Sequence, residues 1–412
     1  MAIILQISIE VNSGSVGRIA EQIGLEVLAR GWVSYVTYAR NNLPSRSITL
    51  KIGNKYNIYW HGLKTRIFDN HCLESKSATK KLISNIEQIR PDIIHLHHIH
   101  GYFINMKILF EYLQSCDIPI VWTFHDCWAF TGHCAHYEFI GCEKWKTGCF
   151  SCEQKKEYPA SYFIDRSKTN YLQKRALFNS LSNLTIVPVS NWLKTQVEQS
   201  FLNKNNVEVI HNGIDIDLFK PIFDSHIYSK YKITNRTIVL GVASKWDNKK
   251  GFEEFFKLNM IIKRSYTIVL VGLSKSQIKK LPDSIIGIER TENVFELAKL
   301  YSMATVFVNP TFEDTFPTTN LESLACGTPV ITYRTGGSVE SISEDVGFVV
   351  EKGDVDGICK SIDIVVGRGK DVYSKKCRNK AEMFYNRTNS FKRYISLYEQ
   401  LLSNKKKHNN GI

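Results

Sequence analysis

Short apolar runs alternate with amphipathic stretches from one end of this 412-residue chain to the other. Apolar runs of four to eight residues predict buried strands, and a 3.6-residue period predicts helices. Strands that alternate with helices favour parallel sheets built from βαβ units. The predicted strands are Ile3–Ile9, Ile93–Leu96, Ile118–Phe124, Thr185–Val189, Val207–Ile210, Ile238–Val242, Thr267–Val271, Thr305–Val308 and Val330–Tyr333. The predicted helices are Val16–Arg30, Phe103–Gln114, Ser190–Phe201, Phe295–Tyr301 and Asn389–Leu402.

The pattern restarts after the polar segment that begins with Asn212. With 43% hydrophobic residues, a chain of this length can bury two cores and is not disordered. We therefore predict an α/β protein with two doubly wound domains, residues 1–213 and 214–388. No apolar stretch of 18 residues occurs, so no transmembrane helix is expected.

The segment Asn309–Gly337 carries the most specific chemistry. Asp314 and Glu322 are separated by seven residues and lie where a buried strand leads into a helix. Free backbone N–H groups and the helix dipole favour negative charge at such a place. Carboxylates accept hydrogen bonds from hydroxyl groups. Together these groups predict a ligand with both phosphates and hydroxyls, namely a sugar nucleotide.

This segment resembles the glutamate-seven-glutamate signature of retaining family 4 glycosyltransferases. Asp314 stands where the family has its first glutamate, with Glu313 directly before it as a substitute, and Glu322 matches the second. The resemblance implies the GT-B fold, in which two Rossmann-like domains face each other across a cleft. It also implies that the last helix, 389–412, returns to the first domain.

The resemblance extends to the site residues. It implies that Glu322 binds ribose, and that Lys245 and Lys250, just before Gly251, neutralise the departing diphosphate. It implies a catalytic set of His125, Asp314, Lys245 and Lys250. The donor-binding residues it implies are Gly14, Gly17, Lys245, Lys250, Glu313, Asp314, Phe316, Pro317, Thr318 and Glu322. Those it implies on the acceptor side are Ser15, His97 and His100. Without the family, a pair of surface lysines is the favoured interpretation.

Two clusters raise the question of metal binding. His95, His97, His98 and His100 are close in sequence, but no local carboxylate or thiol completes the set, so a strand end beside the acceptor is favoured. Four thiols lie within nineteen residues of a predicted loop, at Cys134, Cys142, Cys149 and Cys152. Structural zinc, free thiols and a disulfide all remain open for them. For the chemistry itself, the family implies no metal.

The net charge of +13 is compatible with anionic small molecules, anionic membranes and nucleic acids. The stretch Lys51–Lys81 interleaves basic and aromatic residues, which fits either a membrane surface or the solvated face of a helix. No nucleic-acid-binding motif is apparent, so no nucleic acid partner is expected. Ten cysteines without an export signal favour the cytoplasm.

The sequence and its resemblance together predict transfer of a hexose or N-acetylhexosamine from a nucleotide sugar. A uridine nucleotide is preferred. The expected acceptor is a glycan, lipid-linked at the inner face of the plasma membrane, in O-antigen, capsule or exopolysaccharide synthesis. Two alternatives remain, namely a soluble transferase that acts on a small molecule and a basic nucleic-acid-binding protein.

Overall fold

The computed structural model describes residues 1–410, which form two compact units. Unit 1 contains residues 1–211 and the chain from Phe391 onward, and unit 2 contains Asn212–Ser390. The sequence-based boundaries, after residues 213 and 388, lie two residues away from these. Of the expected last helix, 389–412, residues 411 and 412 lie outside the described part.

Unit 1 is a parallel α/β unit. Its strands are β1 (Ile3–Ile7), β2 (Val33–Tyr38), β3 (Ile48–Lys51), β4 (Ile93–Leu96), β5 (Ile120–Phe124), β6 (Leu184–Pro188) and β7 (Asn206–Val207). Its helices are α1 (Gly14–Ala29), α2 (Lys55–Phe68), α3 (Lys76–Ile89), α4 (Met106–Ser115), α5 (Ser167–Phe178) and α6 (Asn191–Gln199). The strand order is β3-β2-β1-β4-β5-β6-β7, with every pair parallel.

Unit 2 repeats this plan. Its strands are β8 (Thr237–Val242), β9 (Tyr266–Val271), β10 (Ile285–Ile288), β11 (Val306–Asn309), β12 (Val330–Tyr333) and β13 (Gly347–Val350). Its helices are α7 (His226–Lys230), α8 (Phe252–Ile261), α9 (Lys275–Ile278), α10 (Val294–Met303), α11 (Thr318–Ala325), α12 (Val355–Arg368) and α13 (Asp371–Phe384). The order β10-β9-β8-β11-β12-β13 is again wholly parallel.

Both sheets reverse their winding direction at one point. The reversal falls between β1 and β4 in unit 1 and between β8 and β11 in unit 2. Ligands of doubly wound sheets bind outside the carboxyl ends of the strands at this switch point. The segments that follow β8 and β11 contain Lys250 and Asp314, so the predicted donor residues lie where the topology favours binding.

The last helix, α14 (Arg387–Asn410), belongs to unit 1 from Phe391 onward and packs against its core. Phe391, Tyr394 and Tyr398 join a buried cluster with residues of β1, α1 and β4. Tyr398 Oη lies 2.6 Å from His95 Nδ1, and Tyr394 Oη lies 3.0 Å from Thr123 Oγ1. The helix therefore completes the core of unit 1.

Most predicted strands are present, with some differences at their ends. Strand β7 covers only Asn206–Val207, shorter than the predicted Val207–Ile210, and α4 begins at Met106 rather than Phe103. Strands β2, β3, β10 and β13 were not predicted. No helix within residues 1–410 combines the length and the apolar character needed to cross a bilayer.

Candidate active site

The loops that follow β8 and β11 meet at the switch point of unit 2. Phe312 N donates to Lys249 O at 2.8 Å, which joins the two loops. Gly251 has a φ of 72°, and a Cβ atom there would lie 2.2 Å from Pro310 O. Glycine is therefore required where the β8 loop touches the β11 loop.

An ion pair joins these two loops at the centre of the candidate site. Lys250 Nζ lies 2.6 Å from Asp314 Oδ2, and the lysine side chain keeps 36% of its surface exposed. Burial alone lowers the pKa of Lys250, but the carboxylates of Asp314, Glu313 and Asp247 outweigh it and raise the pKa above its ordinary value. Lys250 is therefore a permanent cation that solvent can reach.

A second pair lies beside the first. Lys249 Nζ is 3.0 Å from Glu313 Oε1, and the Glu313 side chain is only 5% exposed, against 19% for Asp314. Asp314 is also fixed in position, because its Oδ1 accepts from Phe316 N and its carbonyl oxygen accepts from Gly337 N, each at 3.1 Å. Of the two acids, Asp314 is the more accessible.

Helix α11 begins directly after this loop and carries Glu322. Pro317 precedes its first residue, Thr318, and offers no side-chain cap to the first-turn N–H groups. Glu322 Oε2 accepts a hydrogen bond of 3.1 Å from Tyr301 Oη, whose side chain is fully buried in α10. Burial, with help from Glu322, raises the pKa of Tyr301, so the phenol stays a donor. Tyr301 therefore orients the Glu322 carboxylate.

Other predicted donor residues lie around this centre. Lys245 is exposed on the turn after β8, Thr318 is half-buried, and Phe316 is buried against Tyr385 with ring centroids 5.9 Å apart. Their roles toward a ligand stay predictions.

The first helix of unit 1 begins at the predicted glycine loop. Gly14 has a φ of 61°, and a Cβ atom on Gly17 would lie 3.0 Å from Glu10 O. Both glycines therefore allow α1 to begin close to the end of β1, and Ser15 is exposed on its first turn. This arrangement allows backbone N–H groups to approach a ligand.

His125 follows β5 and contacts His97. His97 Nδ1 lies 3.3 Å from His125 Nε2, and His97 Nε2 lies 2.9 Å from Gln6 Oε1. Gln6 Nε2 donates to Ala20 O, which turns its carbonyl oxygen toward His97. His97 Nε2 must then carry the proton, so its Nδ1 accepts from His125 Nε2. This leaves Nδ1 as the acceptor nitrogen of neutral His125.

His98 and His100 approach a carboxylate that the sequence pattern did not connect with them. Asp126 Oδ2 lies 2.9 Å from His100 Nε2 and 3.3 Å from His98 Nε2, and Asp126 Oδ1 accepts from Trp128 N at 2.9 Å. Asp126 is not local to these histidines in sequence, but it lies beside them in the fold because β5 ends next to β4. The potential ligand atoms of His98, His100 and Asp126 lie within 4.8 Å of one another.

Comparison with known protein families identifies the family of this chain. Residues 16–218 match the family model described as Glycosyltransferase Family 4, and residues 236–367 match the model described as Glycosyl transferases group 1. The chain belongs to glycosyltransferase family 4.

Relatives of this family 4 chain agree with that identification. A putative colanic acid biosynthesis glycosyl transferase, WcaC of Escherichia coli (strain K12), is 26% identical over 227 residues, covering 52% of this chain and 55% of the relative. The matched stretches span about half the length of the curated relatives.

Solved structures establish the GT-B fold of the family 4 chain. Sucrose-phosphate synthase from Thermosynechococcus elongatus superposes with a TM-score of 0.71 at 18% identity, covering 98% of this chain and all of the other. Anabaena Alr3699/HepE in complex with UDP-glucose gives a TM-score of 0.67 at 14% identity, covering 97% and 100%.

Sequence reasoning missed several residues at the candidate site of this family 4 chain. Tyr301 is separated from Glu322 by 20 residues and is part of a helix whose other buried residues are mostly apolar, so no local pattern marks it. The pairing of Lys249 with Glu313 was not predicted either. The sequence contains two adjacent lysines, Lys249 and Lys250, and two adjacent acids, Glu313 and Asp314, which could have suggested two parallel ion pairs.

Proposed function

We propose that this chain transfers a hexose or N-acetylhexosamine from a nucleotide diphosphate sugar to a sugar acceptor and retains the anomeric configuration. One observation carries this proposal: the Lys250–Asp314 pair stands at the switch point of unit 2, beside the uncapped start of α11. Permanent positive charge and free N–H groups suit a diphosphate, and a carboxylate suits sugar hydroxyls.

Each residue has a definite task in this proposal. Lys250, assisted by Lys245, binds the diphosphate, which then takes the place of Asp314 as the partner of the ammonium group. The Asp314 carboxylate becomes available to a hydroxyl of the donor sugar. Glu322, oriented by Tyr301, accepts hydrogen bonds from the ribose hydroxyls. His125 contacts the donor sugar.

The proposed reaction is the front-face substitution that the family resemblance implies. The acceptor hydroxyl oxygen attacks the anomeric carbon on the face from which the diphosphate leaves. The bond between the anomeric carbon and the phosphate oxygen breaks, and the departing phosphate takes the proton of the acceptor. The lysine cations stabilise the negative charge that develops, so the chemistry requires no metal. The new glycosidic bond retains the original configuration.

Two of the similar proteins refine the proposed substrates. HepE binds UDP-glucose in its crystal structure, which supports a uridine donor. WcaC is named for the biosynthesis of colanic acid, a polysaccharide, which supports a glycan acceptor in surface-polysaccharide synthesis. A lipid-linked form of that acceptor agrees with the exposed aromatic surface described below.

A panel of nucleotide sugars tests the proposal. We expect one uridine sugar to raise the melting temperature and to be hydrolysed slowly without an acceptor. Transfer should continue without added divalent cations, and nuclear magnetic resonance should show a product with the donor's anomeric configuration. An inverted product would contradict the front-face reaction, and the absence of binding by every nucleotide sugar would contradict the function.

Replacing Glu322 by glutamine should weaken nucleotide binding about tenfold, because a neutral amide oxygen accepts hydrogen bonds less strongly than a carboxylate. Isothermal titration with UDP measures this change. Glu382→Gln is the matched control, since Glu382 is a half-exposed acid on helix α13 of the same unit. Equal affinities for wild type and Glu322→Gln would remove Glu322 from the nucleotide site.

Helix α2 of unit 1 presents an aromatic surface to solvent. Most of its exposed apolar residues recur every three or four positions, whereas the buried residues of the helix are His61, Gly62 and Thr65. The aromatic surface consists of Tyr56 (71% exposed), Tyr59 (73%), Trp60 (57%) and Phe68 (38%), together with the aliphatic Leu63 (47%). Lys64 Nζ lies 5.4 Å from the centroid of the Trp60 ring. An exposed apolar face with cations beside it suits an anionic membrane.

Replacing Tyr59 and Trp60 together by alanine should lower binding to anionic vesicles by roughly tenfold or more, because two aromatic side chains lose their place in the interface. Vesicle flotation measures the bound fraction. Phe223→Ala is the control, since Phe223 is an 85% exposed aromatic residue of unit 2. If wild type does not float with vesicles and transfers sugar to a water-soluble acceptor, the alternative of a soluble transferase is favoured.

A further inference from the structure

The loop between β5 and α5 is long and has little regular structure. It runs from residue 125 to 166 and contains three short 3-10 helices, Trp128–Phe130, Glu138–Ile140 and Lys144–Lys146. A loop of this length inside a compact domain needs a stabilising feature of its own. Every cysteine within residues 1–410 is a free thiol, so no disulfide supplies that feature.

Four thiols of this loop line one small cavity of about 20 Å³, enough for a single ion. These four residues, which we call the thiol cluster, are Cys134, Cys142, Cys149 and Cys152. The Cys134 and Cys152 side chains are hydrogen-bonded to each other, and Gly132 N donates to Cys149 Sγ at 3.1 Å. Such a backbone N–H at a sulfur atom is a typical outer contact of a metal-bound cysteine.

Aromatic side chains cover the thiol cluster on one side. Trp145 is fully buried, stacks on Tyr137 with ring centroids 4.9 Å apart, and donates from Nε1 to Cys142 O at 3.1 Å. Phe130 packs on Trp145 at 5.2 Å. An apolar cover restricts water and strengthens the attraction between thiolates and a cation.

We propose that the thiol cluster binds one structural zinc ion. Structural zinc sites are tetrahedral, four cysteines are one of their common ligand sets, and four thiolates leave no open position for a substrate. Within residues 1–410, the group of three potential ligands whose atoms already lie within 4.8 Å of one another is His98, His100 and Asp126. No three sulfur atoms of the thiol cluster lie that close together, so they move inward when zinc binds. Each thiol releases a proton as it binds.

The zinc ion stabilises more than its own loop. Tyr158 Oη lies 3.0 Å from His100 Nδ1, His133 Nδ1 lies 2.8 Å from Asp69 Oδ1, and buried Lys174 Nζ donates to Thr131 O at 3.0 Å. These contacts tie the loop to the histidine region, to the end of α2 and to α5. Zinc therefore supports the position of His125 and its neighbours without taking part in the reaction.

Metal analysis of the full chain tests the proposal. We expect about one zinc per chain in wild type, as for a single four-cysteine site, and near-complete loss of zinc in Cys149→Ser/Cys152→Ser. Cys116→Ser/Cys359→Ser is the matched control and should keep its zinc, because these half-buried thiols lie outside the thiol cluster. Cobalt substitution of wild type should give the absorption of a tetrahedral cobalt thiolate site.

The cobalt spectrum keeps the test decisive if the serine variant fails to fold. Wild type that takes up cobalt without thiolate absorption would overturn the proposal. So would zinc that persists in Cys149→Ser/Cys152→Ser and disappears in His98→Ala/His100→Ala, which would place the ion at Asp126. A disulfide between two members of the thiol cluster, found by mass spectrometry of freshly purified protein, would overturn it as well.

Discussion

Replacing Lys250 by alanine is expected to lower the rate of sugar transfer by about 100- to 1,000-fold, the usual loss when a preorganised charge is removed from a reaction centre. Lys250 Nζ is 2.6 Å from Asp314 Oδ2, and the acids around it raise its pKa, so it stays cationic at every pH used for an assay. The loss should therefore appear in kcat and should not depend on pH. Steady-state kinetics with the nucleotide sugar found in the panel measures it.

Two variants make this result interpretable. Lys263→Ala removes an exposed lysine that pairs with Asp363 in the same unit, and it should leave the rate unchanged. Lys250→Arg keeps the charge and should recover part of the rate. If Lys250→Ala transfers sugar at the wild-type rate while nucleotide still binds, the leaving group is stabilised elsewhere.

Mild acid is expected to unfold unit 1, because several of its buried histidines stay neutral in the folded state. Burial, with repulsion from neighbouring histidines at most positions, lowers the pKa of six of them. The pKa falls to about 4 for His61, to about 3 for His95 and His98, and well below the ordinary value for His71, His97 and His125.

The sign follows from proton uptake. Between the ordinary pKa of about 6.5 and these lowered values, the unfolded chain binds protons that the folded chain does not, so the free energy of unfolding falls as the pH falls. The limiting slope is about 1.4 kcal/mol per pH unit for each histidine. His133 acts in the opposite direction but at higher pH, because its hydrogen bond to Asp69 outweighs burial and raises its pKa. The stability that it contributes is complete below about pH 6.5 and is lost as the pH rises through the raised pKa.

Urea denaturation measures this fall in the free energy of unfolding between about pH 7.5 and 5, the range in which the histidines of the unfolded chain titrate. Tryptophan fluorescence reports mainly on unit 1, which contains every tryptophan except Trp246. His61→Gln should reduce the pH dependence, whereas His226→Gln, an exposed site that carries the single histidine of unit 2, should not. A urea midpoint that does not change across this range would contradict the neutral buried state.

The strands that sequence reasoning found and missed differ in how deeply they are buried. Interior strands such as β5 (IVWTF) are fully buried on both faces and appear as continuous apolar runs. The missed strands β3, β10 and β13 form sheet edges, are only four residues long and are partly exposed. A short edge strand has one neighbour and needs little apolar character.

Strand β2 was missed for a different reason. It lies inside the sheet but contains Ser34 and Thr37, which are both buried. Ser34 Oγ lies 2.9 Å from Ser47 Oγ, and Thr37 Oγ1 donates to Ser8 O at 3.0 Å. These partners are distant in sequence, so only the fold explains polar residues in an interior strand.

The candidate site was predictable where one loop carries its chemistry. Asp314, Phe316 and Glu322 are close in sequence, and their spacing by itself indicates a strand end that leads into a helix. The approach of Asp126 to His100 and the support of Glu322 by Tyr301 depend on neighbouring elements. No local spacing encodes such contacts.

The course of the chain also affects how the protein is made. Strands β1 to β7 leave the ribosome before unit 2, and Tyr394 and Tyr398, which hydrogen-bond to Thr123 and His95, are synthesised after it. Until they arrive, the imidazole of His95 and the apolar residues around it have no cover. We expect unit 1 to remain incompletely folded while unit 2 is synthesised, and to depend on protection from aggregation until α14 docks.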